Sequence, residues 1–112
     1  MFTVAVAGAS GNAGAELMRL IARHPNLELK TVTASSSVGQ RVDSVHAHLP
    51  EYAERVFVST DAKSLSGHDI VFLALPHALS ADLAKQLSEE TLVIDCAADF
   101  RLESEADWLK FY

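Results

Sequence analysis

The sequence predicts an α/β domain of the doubly wound class, built on a mostly parallel sheet. Two observations favour it: short apolar stretches alternate with amphipathic ones, and a glycine-rich turn follows the first apolar stretch. Strands separated by helices need crossover connections, which are right-handed and place helices on both faces of the sheet. The chain has 112 residues, 49% of them hydrophobic, and no repeat or linker divides it. We therefore expect one domain over residues 1–112.

The alternation of apolar period sets the predicted elements. Unbroken apolar runs are typical of strands buried on both faces, whereas apolar side chains that recur every three or four residues are typical of amphipathic helices. We predict strands over residues 3–7, 27–33, 55–59, 69–75 and 91–94, and helices over residues 12–24, 61–66 and 78–87.

Local signals set several boundaries of these elements. Pro25 stops the first helix because its ring cannot continue it, and Pro76 ends the strand before it. Thr60 is the expected cap of the short helical turn that follows it. Residues 34–50 are polar enough to read as a loop.

Composition excludes several classes of protein. A formal net charge of −6 would repel a phosphate backbone, so nucleic acid is not an expected partner. The longest apolar runs are far shorter than the roughly 20 residues that cross a bilayer, and the first residues lack a cationic lead, so we expect neither a membrane partner nor a secretion signal. Cys96 is the only cysteine, which fits a reducing compartment, and we expect a cytoplasmic protein.

The last residues predict a longer polypeptide. Trp108, Leu109, Phe111 and Tyr112 put four large apolar side chains at the terminus, where a complete domain rarely leaves them without a partner. We therefore expect that the chain is an incomplete domain, truncated before a second one.

The glycine-rich turn carries the strongest functional signal. Gly8, Gly11 and Gly14 lie between a predicted strand and a predicted helix, the context that a dinucleotide-binding fingerprint requires. Gly8 permits the tight turn, Gly11 leaves the backbone open to the pyrophosphate, and Gly14 lets the helix pack close to the sheet. The helix N-terminus attracts the anion, and Ser10 and Asn12 could add donors. A purely structural turn remains the alternative.

The end of the second predicted strand favours NADP over NAD. An NAD site has an acidic residue about 20 positions beyond the glycines, where it binds the ribose hydroxyls. This chain has Ser35, Ser36 and Ser37 there, whose hydroxyls and N–H groups can donate to a 2′-phosphate, and Arg41 is close enough in sequence to help. The alternative is a solvated serine loop.

Five further residues could carry chemistry, and each also has an ordinary structural use. Cys96 follows a strand at the ligand-binding edge, but no base adjoins it and a buried free cysteine is common packing. His46 and His48 have a spacing compatible with a metal ligand pair, but no companion ligands are apparent, so solvated histidines, or one bonded to backbone, fit better; we predict no metal site. His77 should shape the cofactor cleft or cap the next helix, and Arg101 could bind a substrate phosphate or pair with a neighbouring carboxylate.

Several sequence motifs, in the order in which they occur along the chain, resemble the amino-terminal, NADP-binding region of the N-acetyl-gamma-glutamyl-phosphate reductase family. The matching stretches span nearly the whole chain, and they are residues 8–11, 14–17, 23–25, 45–49, 71–77 and 98–102. Together with the glycine and serine loops, the motifs predict a Rossmann-like NADP site. Its predicted cofactor-binding residues are Gly8, Ser10, Gly11, Asn12, Ala13, Gly14, Ser35, Ser36, Ser37, Leu75, Pro76 and His77.

The resemblance implies an oxidoreductase of arginine biosynthesis, which reduces the acyl phosphate N-acetyl-glutamyl 5-phosphate to its semialdehyde with NADPH. In that family a cysteine thiolate attacks the acyl phosphate and a histidine is its acid-base partner, both in a downstream domain. Cys96 lacks the Pro-Gly-Cys context of that nucleophile. We therefore predict no catalytic residue here, an inactive chain when isolated, and a homo-oligomer formed through the second domain. A stand-alone NADP sensor and the sister enzyme acting on aspartyl phosphate are the alternatives.

Overall fold

A computed structural model describes residues 1–49, 52, 54–75, 77–87 and 90–96, and of residues 77 and 78 the backbone alone. Strands and helices alternate through these residues, as the sequence predicts. In chain order they are β1 (Phe2–Ala7), α1 (Asn12–Ala22), β2 (Leu27–Ala34), α2 (Val42–Val45), β3 (Val58–Ser59), α3 (Ala62–Leu65), β4 (Ile70–Leu73), α4 (His77–Gln86) and β5 (Leu92–Asp95).

The strands form a five-stranded sheet in the order β3-β2-β1-β4-β5, with every neighbouring pair parallel. This confirms the predicted Rossmann-like, doubly wound class. The chain moves outward from β1 to β2 and β3, and then returns to the other side of β1 with β4. The direction of winding therefore reverses between β1 and β4, and ligands bind at the carboxyl ends of the strands flanking such a reversal.

Successive residues of β1 supply both faces of the sheet. Val4 and Val6 belong to one buried cluster with Met18 and Ile21 of α1. Ala5 and Ala7 belong to a second cluster, which includes Leu65 of α3, Val71 and Leu73 of β4 and Leu83 of α4. All four β1 residues are fully buried, because side chains alternate across a strand and helices cover both sides. The turn that follows β1 is thus anchored to the most enclosed strand.

Two predicted elements, the first helix and the fourth strand, were too long. The first helix ends at Ala22 rather than His24, because the N–H groups of Arg23 and His24 close a turn onto the carbonyls of Leu20 and Ile21. The residue before a proline also disfavours helical dihedrals. The fourth strand ends at Leu73 rather than at residue 75.

The predicted strand over residues 55–59 was wrong over most of its length. Only Val58 and Ser59 pair with β2. Arg55 and Phe57 instead exchange backbone hydrogen bonds with residues 39–42, through an antiparallel bridge between Arg41 and Val56. The predicted loop over residues 34–50 accordingly contains this pairing and the short helix α2.

Thr60 is not the cap of α3, contrary to the prediction. Asp61 is the N-cap, and its Oδ1 accepts the Ser64 N–H at 2.7 Å. Thr60 donates its hydroxyl to Thr33 instead, at 2.8 Å. Among the residues described here, none of the helices combines the length and apolar content that crossing a membrane would require.

Candidate functional site

The turn after β1 and the turn after β4 touch at the reversal point of the sheet. Gly8 has φ +75°, in the left-handed region that favours glycine. A Cβ at Gly8 would lie 2.4 Å from the Ala74 carbonyl oxygen and 2.8 Å from Cδ2 of Leu75. Gly8 therefore meets both of its predicted demands, a sharp turn and a close approach of backbone.

Gly14 and Gly11 differ in what surrounds them. A Cβ at Gly14 would lie 2.5 Å from Cα of Ala9 and 2.7 Å from the Gly8 carbonyl oxygen. Gly14 thus lets α1 pack against the turn itself, whereas we predicted close packing against the sheet. A Cβ at Gly11 would meet only the Gly8 carbonyl oxygen, at 3.9 Å. The space beside Gly11 is open, as an approaching ligand requires.

The N-terminus of α1 presents free backbone donors to this space. Ala15 is the first helical residue whose N–H bonds back, to the Gly11 carbonyl at 3.0 Å. In the described part of the chain, no acceptor receives the N–H groups of Ser10, Asn12, Ala13 or Gly14. The first turn of α1 carries no acidic residue. Free N–H groups and the positive end of a helix dipole form an anion site, so these residues fit the pyrophosphate of a dinucleotide.

Two residues that the sequence reasoning did not assign to the site hold this turn in place. Thr33, the penultimate residue of β2, is fully buried, and its hydroxyl oxygen accepts the Gly8 N–H at 3.3 Å. Its carbonyl oxygen accepts the Ala9 N–H at 2.8 Å. His46 Nε2 lies 2.8 Å from the Ala9 carbonyl oxygen. The sequence signal that could have identified Thr33 was its place at the carboxyl end of the strand beside β1.

The histidine pair separates into a buried and an exposed residue. His46 is 6% exposed and bonded to backbone, one of the two uses that the sequence left open, whereas His48 is exposed. Their rings lie 5.8 Å apart in an edge-on arrangement. The described residues contain no group of three or more His, Cys, Asp or Glu side chains that could hold a metal ion.

The serine loop lies directly after β2. Ser35 and Ser36 are exposed and Ser37 is half-buried, with the Ser37 carbonyl oxygen accepting the Gln40 N–H at 3.0 Å. Arg41, predicted to help here, directs its guanidinium at the Asp43 carboxylate, with contacts of 3.0 and 2.9 Å. The Ser35 and Ser36 hydroxyls are thus open to an anion, whereas the exposed Arg41 guanidinium is already paired with one carboxylate.

The remaining predicted residues are Cys96, Pro76, His77 and Arg101. Cys96 is buried at the end of β5, its N–H donating to the Leu73 carbonyl at 2.8 Å and its Sγ 3.8 Å from the Ile94 carbonyl oxygen, which indicates packing rather than an exposed nucleophile. Pro76 and Arg101 lie outside the described residues. His77 is the first residue of α4, and its backbone follows the turn that touches Gly8.

Known proteins resemble this chain in sequence. Residues 3–109 match the family described as semialdehyde dehydrogenase, NAD binding domain. The chain is 52% identical, over 99% of its length, to the N-acetyl-gamma-glutamyl-phosphate reductase of Thermobifida fusca, and 56% identical, over 97%, to that of Acidothermus cellulolyticus. It spans about a third of the length of these relatives, 32% in both.

A solved structure shares the fold. The crystal structure of aspartate semialdehyde dehydrogenase with NADP from Candida albicans superposes with a TM-score of 0.72 at 25% identity, covering 92% of this chain and 31% of that one. The resemblance that the sequence motifs predicted is confirmed by the named relatives. From the glycine turn, the sheet order and these matches, the chain belongs to the semialdehyde dehydrogenase NAD-binding domain family.

Proposed function

We propose that this chain is the NADP-binding portion of an N-acetyl-gamma-glutamyl-phosphate reductase, the enzyme that reduces N-acetyl-glutamyl 5-phosphate to the semialdehyde. The observation that carries the proposal is the anion site at the N-terminus of α1, with its open space at Gly11 and unbonded N–H groups. Relatives that bear this enzyme's name, at 50% identity or more over nearly the whole chain, support it.

The chain's own residues would bind and orient the cofactor. The N–H groups of Ser10, Asn12 and Ala13 would bind the pyrophosphate, because they donate to no acceptor in the described residues. Leu75 would lie beside it on the β4 side, and Pro76 and His77 are proposed as further cofactor-binding residues from the sequence motif. When bound, NADPH would supply the hydride for reduction of the acyl group.

We propose NADP rather than NAD because of the serine loop. A carboxylate at the end of β2 would accept hydrogen bonds from ribose hydroxyls and repel a 2′-phosphate. Ser35 and Ser36 place exposed hydroxyls there, and hydroxyl and N–H donors can bind a phosphate. The Candida albicans neighbour was crystallised with NADP and another solved neighbour with NAD, so the serine loop alone carries the choice.

The two alternatives have less support. An aspartate semialdehyde dehydrogenase would use the same fold, but the similarity to that enzyme is 25% identity against 52% for the Thermobifida fusca reductase. A stand-alone sensor would keep the cofactor site without chemistry, and nothing in the family match favours it.

We further propose that the chain binds cofactor without turning over substrate on its own. The sole cysteine of the sequence, Cys96, is buried at the end of β5 and lacks the Pro-Gly-Cys context of the family's nucleophile. The acyl-phosphate substrate, Arg101 as a ligand of its phosphate, and a homo-oligomer are proposals for the whole protein.

The test is an assay of the intact protein that carries this chain. It should oxidise N-acetyl-glutamate 5-semialdehyde in the presence of phosphate and NADP, the reverse of the proposed reaction, with formation of NADPH. Aspartate 4-semialdehyde is the control substrate. Turnover of the control alone would assign the protein to the sister enzyme, and turnover of neither substrate with intact NADPH binding would support the sensor.

A further inference from the structure

We propose that His46 is a positioning residue for the cofactor, which fixes the direction of the Ser10 N–H by holding the Ala9 carbonyl. This inference rests on the proposed function, because it concerns how the glycine turn binds a pyrophosphate. His46 lies 37 residues from Ala9 in sequence, on the segment that follows α2.

The contact assigns the proton on the imidazole. His46 Nε2 lies 2.8 Å from the Ala9 carbonyl oxygen, and both residues are buried. A carbonyl oxygen can only accept, so Nε2 must carry hydrogen and donate it. The ring itself is held in place, since it lies edge-on to Phe57 at 6.4 Å and to His48 at 5.8 Å between centroids.

The Ala9 carbonyl and the Ser10 N–H belong to one peptide unit. None of the peptide bonds is cis in the described residues, so the two groups point in opposite directions across a planar unit. Fixing the carbonyl toward His46 therefore directs the Ser10 N–H away from it. That N–H is one of the donors without an acceptor in the described part of the chain.

The preceding peptide unit is held separately. Ala9 donates its N–H to the Thr33 carbonyl at 2.8 Å, and Gly8 donates to the Thr33 hydroxyl at 3.3 Å. Thr33 thus holds the turn up to Ala9 N, and His46 holds the next unit. Without the His46 donor, the Ala9–Ser10 unit could rotate, and a buried carbonyl would lose its partner.

Variants of the intact protein separate the donor from the bulk of the side chain. His46→Leu keeps an apolar side chain of moderate size and removes the donor, whereas His46→Gln keeps an N–H donor at a similar reach. His24→Leu is the control, since His24 is exposed and its Nδ1 accepts the Asn26 N–H rather than bonding to the glycine turn. The ligands are NADPH, which carries a pyrophosphate, and adenosine 2′-monophosphate, which does not.

We expect His46→Leu to weaken NADPH binding about tenfold, the effect of roughly one lost hydrogen bond, and His46→Gln to recover most of that affinity. Adenosine 2′-monophosphate should bind all variants equally, and His24→Leu should match the wild type. Equal NADPH affinity in wild type and His46→Leu would overturn the inference, as would equal losses in His46→Leu and His46→Gln, or equal losses for both ligands. If the wild type itself does not bind NADPH, the proposed function fails and the inference falls with it.

A measurement on the wild type covers the case in which the variants do not fold. Nitrogen NMR of ring-labelled histidine reports which ring nitrogen carries the proton. We expect hydrogen on Nε2 of His46. A neutral ring protonated at Nδ1 alone would overturn the inference.

Discussion

The glycine turn and the serine loop both follow strands at the same edge of the sheet, but they are held very differently. The glycine turn is fixed by hydrogen bonds that it donates to Thr33 and accepts from His46, and by close packing at Gly8 and Gly14. The serine loop is exposed at Ser35 and Ser36. The difference suggests a division of work: a rigid turn supplies affinity for the pyrophosphate common to both cofactors, and an open loop selects between them.

The largest expected effect comes from crowding the rigid turn. Gly8→Ala places a Cβ 2.4 Å from the Ala74 carbonyl oxygen in a left-handed backbone, and we expect the free energy of unfolding to fall by about 3 kcal/mol. NADPH binding should be lost with it. Gly67→Ala is the control, because Gly67 has φ +81° but nothing within 4 Å, so strain alone should cost about 1–2 kcal/mol there. Denaturant unfolding measures both variants, and equal losses would show that the packing at Gly8 is not tight.

Gly11→Ala should separate binding from folding. Its Cβ would meet protein only at 3.9 Å, and φ −87° suits alanine, so stability should fall by about 1 kcal/mol or less. The methyl group would occupy the space beside the free N–H groups, so NADPH affinity should drop at least about tenfold. Calorimetric titration beside a denaturation curve checks this. Unchanged affinity would place the pyrophosphate elsewhere.

A charge on the serine loop should alter selectivity alone. Ser35→Asp places a carboxylate where a 2′-phosphate is proposed to bind, and we expect about tenfold weaker NADPH binding with NADH binding unchanged or stronger. Because Ser35 is exposed, stability should change by less than about 0.5 kcal/mol. Ser35→Ala controls for loss of the hydroxyl. A parallel loss for NADH would argue that this loop does not discriminate.

The smallest expected effect is a pH dependence of stability at Asp61. Asp61 follows Thr60, whose hydroxyl donates to Thr33 beside the glycine turn. The Ser64 backbone N–H, followed by the Ser59 hydroxyl, lowers the pKa of Asp61 below its ordinary value of 3.8. Because the folded pKa is the lower one, this stabilisation is present above pH 3.8 and is lost as the pH falls through the folded pKa. Asp61→Asn should therefore be less stable than wild type at neutral pH and approach it in acid, without a change in NADPH affinity. Urea unfolding across this pH range measures the difference, and a constant gap would contradict it.

The sequence predicted features set by local patterns better than contacts between residues far apart in the chain. Apolar runs such as residues 3–7 and three glycines in a strand-turn-helix context are local signals, and the parallel sheet and the turn followed from them. The bridge between Arg41 and Val56 and the contact of His46 with Ala9 join residues far apart in sequence, so no local period could predict them. Thr60 illustrates the same limit. Thr60 and Asp61 are both good capping residues, and Asp61 is the cap because the Thr60 hydroxyl bonds to Thr33, which is distant in sequence.

The central claim is that a preformed turn binds the pyrophosphate while the serine loop selects NADP. Calorimetric titration of the intact protein with NADPH and with NADH tests it most directly. We expect NADPH to bind at least about tenfold more tightly, the contribution of a 2′-phosphate bound by hydroxyl and N–H donors. Equal affinities would contradict selection by the serine loop, and no binding of either cofactor would contradict the site itself.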